Sequence, residues 1–189
     1  MKKVILIGDS IRNGYEETVR AELEDVAEIW GPEANGGDSK NVLAHINQWV
    51  MSREADIVHV NCGLHDIKRE FGASKNQVPP DRYEGNVRDI LERLKEKHGT
   101  RIIWASTTPV NHEWHHENKP FDRFEEDVDL YNSIAHGIAA ELDVPVNDLF
   151  QVIARENPDD VLQKDGVHFK PEGYEKLGKA VAECIRRYL

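Results

Sequence analysis

Cysteine is nearly missing from this sequence. Its 189 residues hold 2, Cys62 and Cys184, too few for a disulfide framework. Both are expected to be buried free thiols, and stability must come from a packed core. Long apolar runs are missing too: none approaches the roughly 20 residues that cross a bilayer. The run from Val4 to Ile7, behind Lys2-Lys3, is too short for the apolar segment of a secretory leader. It ends in Gly-Asp-Ser rather than at a small-residue cleavage site. It is therefore expected to be a first strand, in a cytoplasmic protein that does not insert in membranes. Positive charge is scarce as well. The 24 Lys and Arg face 35 Asp and Glu, a formal charge of −11, which argues against nucleic acid or an anionic membrane as the main partner. Repeats, low-complexity tracts and linkers are absent, so residues 1–189 are read as a single domain, long enough to bury a sizeable core.

What is present alternates between two periods. Strands are expected at 3–8, 26–30, 56–61, 101–106 and 144–146. Helices are expected at 11–25, 41–51, 83–98, 124–142, 149–155 and 171–188, the last two separated by a long loop. Two more long loops, 71–82 and 107–123, follow the third and fourth strands. Strand-helix alternation of this kind implies an α/β fold: three layers, α/β/α, around a five-stranded parallel sheet. The expected strand order is the flavodoxin-like 2-1-3-4-5. Such sheets bind ligands beyond the strand C-termini, where the order reverses between strands 1 and 3.

Chemistry-bearing residues fall at that place. The first apolar run stops at Gly8-Asp9-Ser10, and Asp165-Gly166-Val167-His168 stands near the other end of the chain. A serine, an aspartate and a histidine in this order are the parts of a hydrolytic triad. A histidine three residues after an aspartate on one tight loop can turn back onto it and present its other ring nitrogen to a serine. Gly-Asp-Ser alone is a weak signal, because Asp and Ser also cap helices. The tripeptide recurs at Gly37-Asp38-Ser39, with no apolar strand before it, so Ser39 is not taken as the nucleophile. Asp9 and Asp66 are read as carboxylates that order loops.

The joint pattern is more specific. Gly8-Asp9-Ser10, Gly37-Asp38-Ser39, Gly63-Leu64-His65-Asp66 and Asp165-Gly166-Val167-His168 follow in order along nearly the whole chain. This resembles the SGNH (GDSL) hydrolase family of esterases and acylhydrolases. The resemblance implies Ser10 as nucleophile, His168 as general base and Asp165 as its orienting partner. It also implies an oxyanion hole of the Ser10 and Gly37 backbone N–H groups, with Gly36 as the alternative glycine. The family's third block usually carries Asn where this chain has His65. A histidine ring N–H can donate the same hydrogen bond, so His65 is expected as the third donor, with Asn61 a further candidate.

One motif competes. His112-Glu113-Trp114-His115-His116 matches H-E-x-x-H, in which two histidines one helical turn apart bind zinc. Here Pro109 lies upstream, Pro120 downstream, and no third ligand is evident in the sequence. A zinc hydrolase using His112, Glu113 and His116 is the least favoured reading, and no metal or cofactor is expected. The stretch is read instead as a loop overhanging the site, where Trp114 and His112, with Asn111, His115 and Phe121, line a substrate pocket. Aromatic platforms mixed with polar groups suit a sugar better than a lipid tail. The expected activity is hydrolysis of short-chain acyl esters, with O-acetyl groups on carbohydrates in first place. Lysophospholipase, thioesterase or acyltransferase activity, and a binding module without turnover, are the alternatives. Oligomeric state is not read from the sequence.

Overall fold

The computed structural model describes residues 1–189. Its centre is β1 (Lys2–Ile7), in which Val4 to Ile7 are all buried. A strand buried on both faces reads as an unbroken apolar run, which is what helices on both sides of a parallel sheet require. β3 (Ile57–Val60) is likewise buried throughout, whereas the edge strand β2 (Ala27–Trp30) alternates. With β5 (Arg101–Ala105) and β7 (Val146–Asn147) they form a parallel sheet in the order β2-β1-β3-β5-β7. This is the expected five-stranded order, and it reverses between β1 and β3.

Two helix groups cover the sheet. α1 (Ser10–Glu22) packs on α7 (Pro171–Arg186), which also meets α6 (Leu149–Ala154). α2 (Ser39–Ile46), α3 (Pro80–Lys95) and α5 (Glu125–Glu141) pack in sequence on the other face. The expected boundaries hold to within a few residues. α3 starts earlier than expected because Pro80 occupies its first turn, where a missing N–H does no harm. α2 continues as a π-helical turn, Asn47–Met51, so the expected helix 41–51 is two geometries end to end.

The 107–123 region departs from expectation. It is not an open loop: it contains α4 (His112–Asn118) and β6 (Phe121–Asp122). β6 pairs antiparallel with β4 (Arg69–Glu70), from the other expected loop region. α4 has seven residues and no apolar stripe, too little to hold a helix alone. Asn111 supplies what propensity does not. Its Oδ1 accepts from the Trp114 N–H at 3.0 Å, its Nδ2 donates to Asp159 at 2.9 Å, and its own N–H donates to the Gly166 carbonyl at 2.8 Å. Both cysteines are free; Cys62 is buried as expected, but Cys184 is only half-buried. No helix is long and apolar enough to cross a membrane.

Candidate active site

Ser10 is the first residue of α1, at the C-terminal end of β1. Asp9 caps the helix, its Oδ1 accepting from the Ile11 N–H at 2.9 Å. The Ser10 N–H has no partner within its helix and lies at the positive end of the helix dipole. From the far end of the chain, residues 165–168 fold back as a tight turn. Asp165 Oδ1 accepts from the N–H groups of Val167 at 3.1 Å and His168 at 2.9 Å. Gly166 sits inside the turn at φ +72°, a conformation that favours glycine. Asp165 Oδ2 is left to accept from His168 Nδ1 at 2.5 Å, and His168 Nε2 meets Ser10 Oγ at 2.9 Å. Burial opposes ionisation of Asp165. The hydrogen bonds from His168 and Val167 outweigh it and hold the carboxyl well below the usual carboxylate range. An ionised Asp165 keeps the His168 proton on Nδ1, so Nε2 is free to accept from the serine hydroxyl. Residues 158 positions apart thus form one relay from serine to carboxylate.

Three loops close around Ser10, and each is held to its neighbour. The Gly36 N–H donates to the Gly8 carbonyl at 2.9 Å, and a Cβ on Gly36 would lie 2.6 Å from that oxygen. Arg12 is buried and reaches the Pro32 carbonyl at 2.6 Å, fixing the chain that leads into the two glycines. Asp66 accepts from the Ser39 N–H at 3.0 Å and from its hydroxyl at 2.5 Å, tying the third loop to the second. This is the loop-ordering role expected of Asp66. It also leaves Ser39 fully buried, with its hydroxyl engaged.

Such an arrangement of serine, histidine and carboxylate above a parallel sheet is accompanied by a match in sequence: residues 6–176 fit the model of the GDSL-like lipase/acylhydrolase family. The chain belongs to this family. It is thereby an acylhydrolase, an enzyme of ester cleavage. Solved structures agree in fold. A lipase/acylhydrolase from Enterococcus faecalis superposes with a TM-score of 0.83 at 20% identity, over 99% of this chain and 96% of that one. An acetyl xylan esterase, AlAXEase, gives 0.78 at 19% identity over 97% and 99%. An acetylxylan esterase from Geobacillus stearothermophilus gives 0.76 at 21% identity over 96% and 93%. No curated protein matches the chain in sequence.

In this acylhydrolase the expected oxyanion donors are differently placed. His65 is half-buried and its ring makes no hydrogen bond within the protein, which leaves its N–H for a ligand. Burial, opposed by Asp9 and helped by the Arg123 charge, lowers its pKa and so favours the neutral ring with a single donor. The Gly36 N–H is taken by Gly8. The Gly37 N–H, at φ +63°, donates to the Asn35 side chain at 2.8 Å, an exposed partner that an incoming oxyanion can displace. Asn61, just past β3, is buried, and its amide donates to the Ala105 carbonyl of β5 at 2.8 Å. His112 is partly buried beside β6, α4's partner strand. Its ring stacks on Phe124 at 4.3 Å and its Nε2 points at Asp122, 3.4 Å away. Trp114 is half-buried, with the Lys164 ammonium 3.5 Å over its ring, next to the turn that carries Asp165.

Two further groups near the site, Arg123 and Lys119, were not singled out by the sequence. Arg123 is buried without a carboxylate partner. Its Nε donates to the Leu64 carbonyl at 2.5 Å and its Nη1 to His115 Nε2 at 3.0 Å. Since arginine only donates, His115 Nε2 is unprotonated, in keeping with a pKa lowered to about 4 by burial and the Arg123 charge. Arg123 therefore braces the backbone next to His65, and its charge adds to burial in lowering the pKa of both imidazoles. Lys119 Nζ lies 3.2 Å from Asp165 Oδ2, adding a cation behind the carboxylate. No local sequence pattern marks these residues, because their partners come from other loops.

Proposed function

We propose that this acylhydrolase is a serine esterase of short acyl groups, with O-acetylated carbohydrate as its leading substrate class. The observation that carries the reading is the relay itself: Ser10 Oγ to His168 Nε2 at 2.9 Å and His168 Nδ1 to Asp165 at 2.5 Å. Ser10 attacks the ester carbonyl while its proton passes to His168 Nε2. The imidazolium that forms is held by ionised Asp165. The carbonyl oxygen becomes an oxyanion within reach of the Ser10 N–H, the His65 ring N–H and the Gly37 N–H, Asn35 having released the last. When the tetrahedral intermediate collapses, His168 returns the proton to the departing alcohol. Water, deprotonated by His168, then attacks the acyl-Ser10 and frees the carboxylic acid.

Two features support a short acyl group on a polar alcohol. Lys119 stands 3.2 Å from Asp165, and Lys164 lies over Trp114 next to that turn, polar and aromatic company that suits a polar alcohol, whereas a long acyl chain needs apolar surface to bury. Two structures of the same fold bear the name acetylxylan esterase. The test is a rate series over p-nitrophenyl acetate, butyrate and octanoate, with acetylated xylo-oligosaccharides run beside it. The reading expects kcat/KM to fall from acetate to octanoate, acetate release from the oligosaccharide, and loss of every activity in Ser10→Ala. A preference for octanoate would redirect the assignment to lipid-type esters.

A further inference from the structure

The histidine motif between β5 and β6 is explained neither by the ester chemistry nor by the core. His112 and His116 lie one helical turn apart on α4 and therefore on the same face. The sequence shows no third ligand near them, but the fold supplies one. β6 brings Asp122 back against that face, 3.4 Å from His112 Nε2 and 2.7 Å from His116 Nδ1. Donor atoms of the three side chains all lie within 4.8 Å of one another. Zinc held at its usual bond lengths to nitrogen and oxygen places ligand atoms about 3.3 Å apart in a tetrahedron. The two distances to the carboxylate, 3.4 Å and 2.7 Å, lie on either side of that value.

Two independent observations point to a ligand here. His112 Nε2 is sealed from solvent and has no hydrogen-bond partner, although it is aimed at the carboxylate. A buried ring nitrogen left in this state costs free energy unless something completes it. The cluster is also set in place beforehand. His112 is stacked on Phe124 at 4.3 Å, His116 rests on Phe71 at 4.8 Å, and Asp122 is buried in the β4–β6 ribbon. His116 is exposed and gives a metal its way in.

We propose that His112, His116 and Asp122 form a binding site for a divalent transition metal of the zinc class, which staples α4 to β6. Two neutral imidazoles and one carboxylate select zinc, cobalt or nickel over calcium and magnesium, which prefer all-oxygen sites. Binding takes the lone pair of His116 Nδ1. The ring proton now shared with Asp122 then resides on the other ring nitrogen, and exchange through water is direct because His116 is exposed. The metal is structural, not hydrolytic: Glu113 is exposed, and the Ser10 relay needs no Lewis acid. What the staple fixes is the stretch between its ligands and just beyond, which carries Lys119 to Asp165 and Arg123 to the Leu64 carbonyl.

The experiment needs no substrate, so it stands or falls apart from the esterase reading. Metal-stripped protein is titrated with Co²⁺ and followed by its visible d–d bands, then with Zn²⁺ in competition and by thermal melting. The proposal expects one equivalent of Co²⁺ with tetrahedral band intensity, displaced by Zn²⁺. It expects Tm to rise by about 5–10 °C with zinc at a hundredfold excess over Kd. His112→Ala and Asp122→Asn should each weaken binding about tenfold or more, whereas His168→Ala should bind like the wild type. No bands and no Tm shift in the wild type would overturn the site. So would binding that survives both ligand substitutions, or binding lost in His168→Ala, which would put the metal at the triad.

Discussion

His65 is the residue on which this chain departs from its family's usual pattern, and its chemistry is open to direct test. Burial favours the neutral ring, which is half-buried and free of protein partners, so it can give one hydrogen bond to a developing oxyanion. Removing a single side-chain donor from an oxyanion hole costs on the order of 10²–10³ in turnover. His65→Ala is expected to lose that much kcat with little change in KM, and His65→Asn to regain most of it. Steady-state kinetics on p-nitrophenyl acetate decide the matter: unaltered turnover in His65→Ala would remove the ring from the hole. Residues of this kind were legible in the sequence because each sits in a short motif. Arg123 was not, since its partners Leu64 and His115 are 59 and 8 positions away and nothing local marks the contact.

At the scale of elements, the parallel strands were legible because a strand buried on both faces declares itself as a short, largely apolar run rich in β-branched residues. α4 and the β4–β6 ribbon were not. Their residues have weak local preference; α4 is held by contacts to the turn 165–168 and the ribbon by pairing between two distant loops, and only the folded chain creates either. Gly166 is the hinge of that dependence. A Cβ there would lie 2.3 Å from the Asn111 carbonyl and 2.7 Å from the His115 N–H, on a backbone at φ +72°. Gly166→Ala therefore has to push α4 away from the triad turn or move the turn itself. A displacement of about 1 Å at a reacting group costs roughly a hundredfold in rate. We expect turnover to fall by that order with Tm also lowered, measured by melting and kinetics on one preparation. Near-native rates would mean that α4 and the turn are not coupled.

For the whole molecule, pH reports on the buried interior. His59 is fully buried in β3, its Nε2 accepting from Asn147 at 3.1 Å, and burial lowers its pKa from 6.5 to about 4. The unfolded chain protonates this ring below pH 6.5, whereas the folded one resists until about pH 4. Its contribution to stability is thus complete above 6.5 and is lost as pH falls towards 4, by about 3 kcal/mol. Asp66, raised to about 7 by burial, acts in the opposite sense over nearly the same range, because there the folded state holds the extra proton. The wild-type curve alone therefore understates His59. Denaturant melts of wild type and His59→Leu from pH 4 to 7 should show their stability difference moving against the wild type by about 3 kcal/mol as pH falls. A constant difference would mean the ring is solvated.

The same scale explains why the site could be placed from sequence at all. A parallel sheet in the order β2-β1-β3-β5-β7 has one reversal, and Ser10 and the 63–66 loop leave the sheet beside it. The turn 165–168 is delivered there by the chain leading into α7. The central claim is that these pieces make Ser10 the nucleophile. Protein quenched during turnover of p-nitrophenyl acetate and analysed by peptide mass spectrometry tests it directly. The account predicts an acetyl group on Ser10, with neither adduct nor turnover in Ser10→Ala. An acetyl group on another side chain, or undiminished turnover without Ser10, would contradict it.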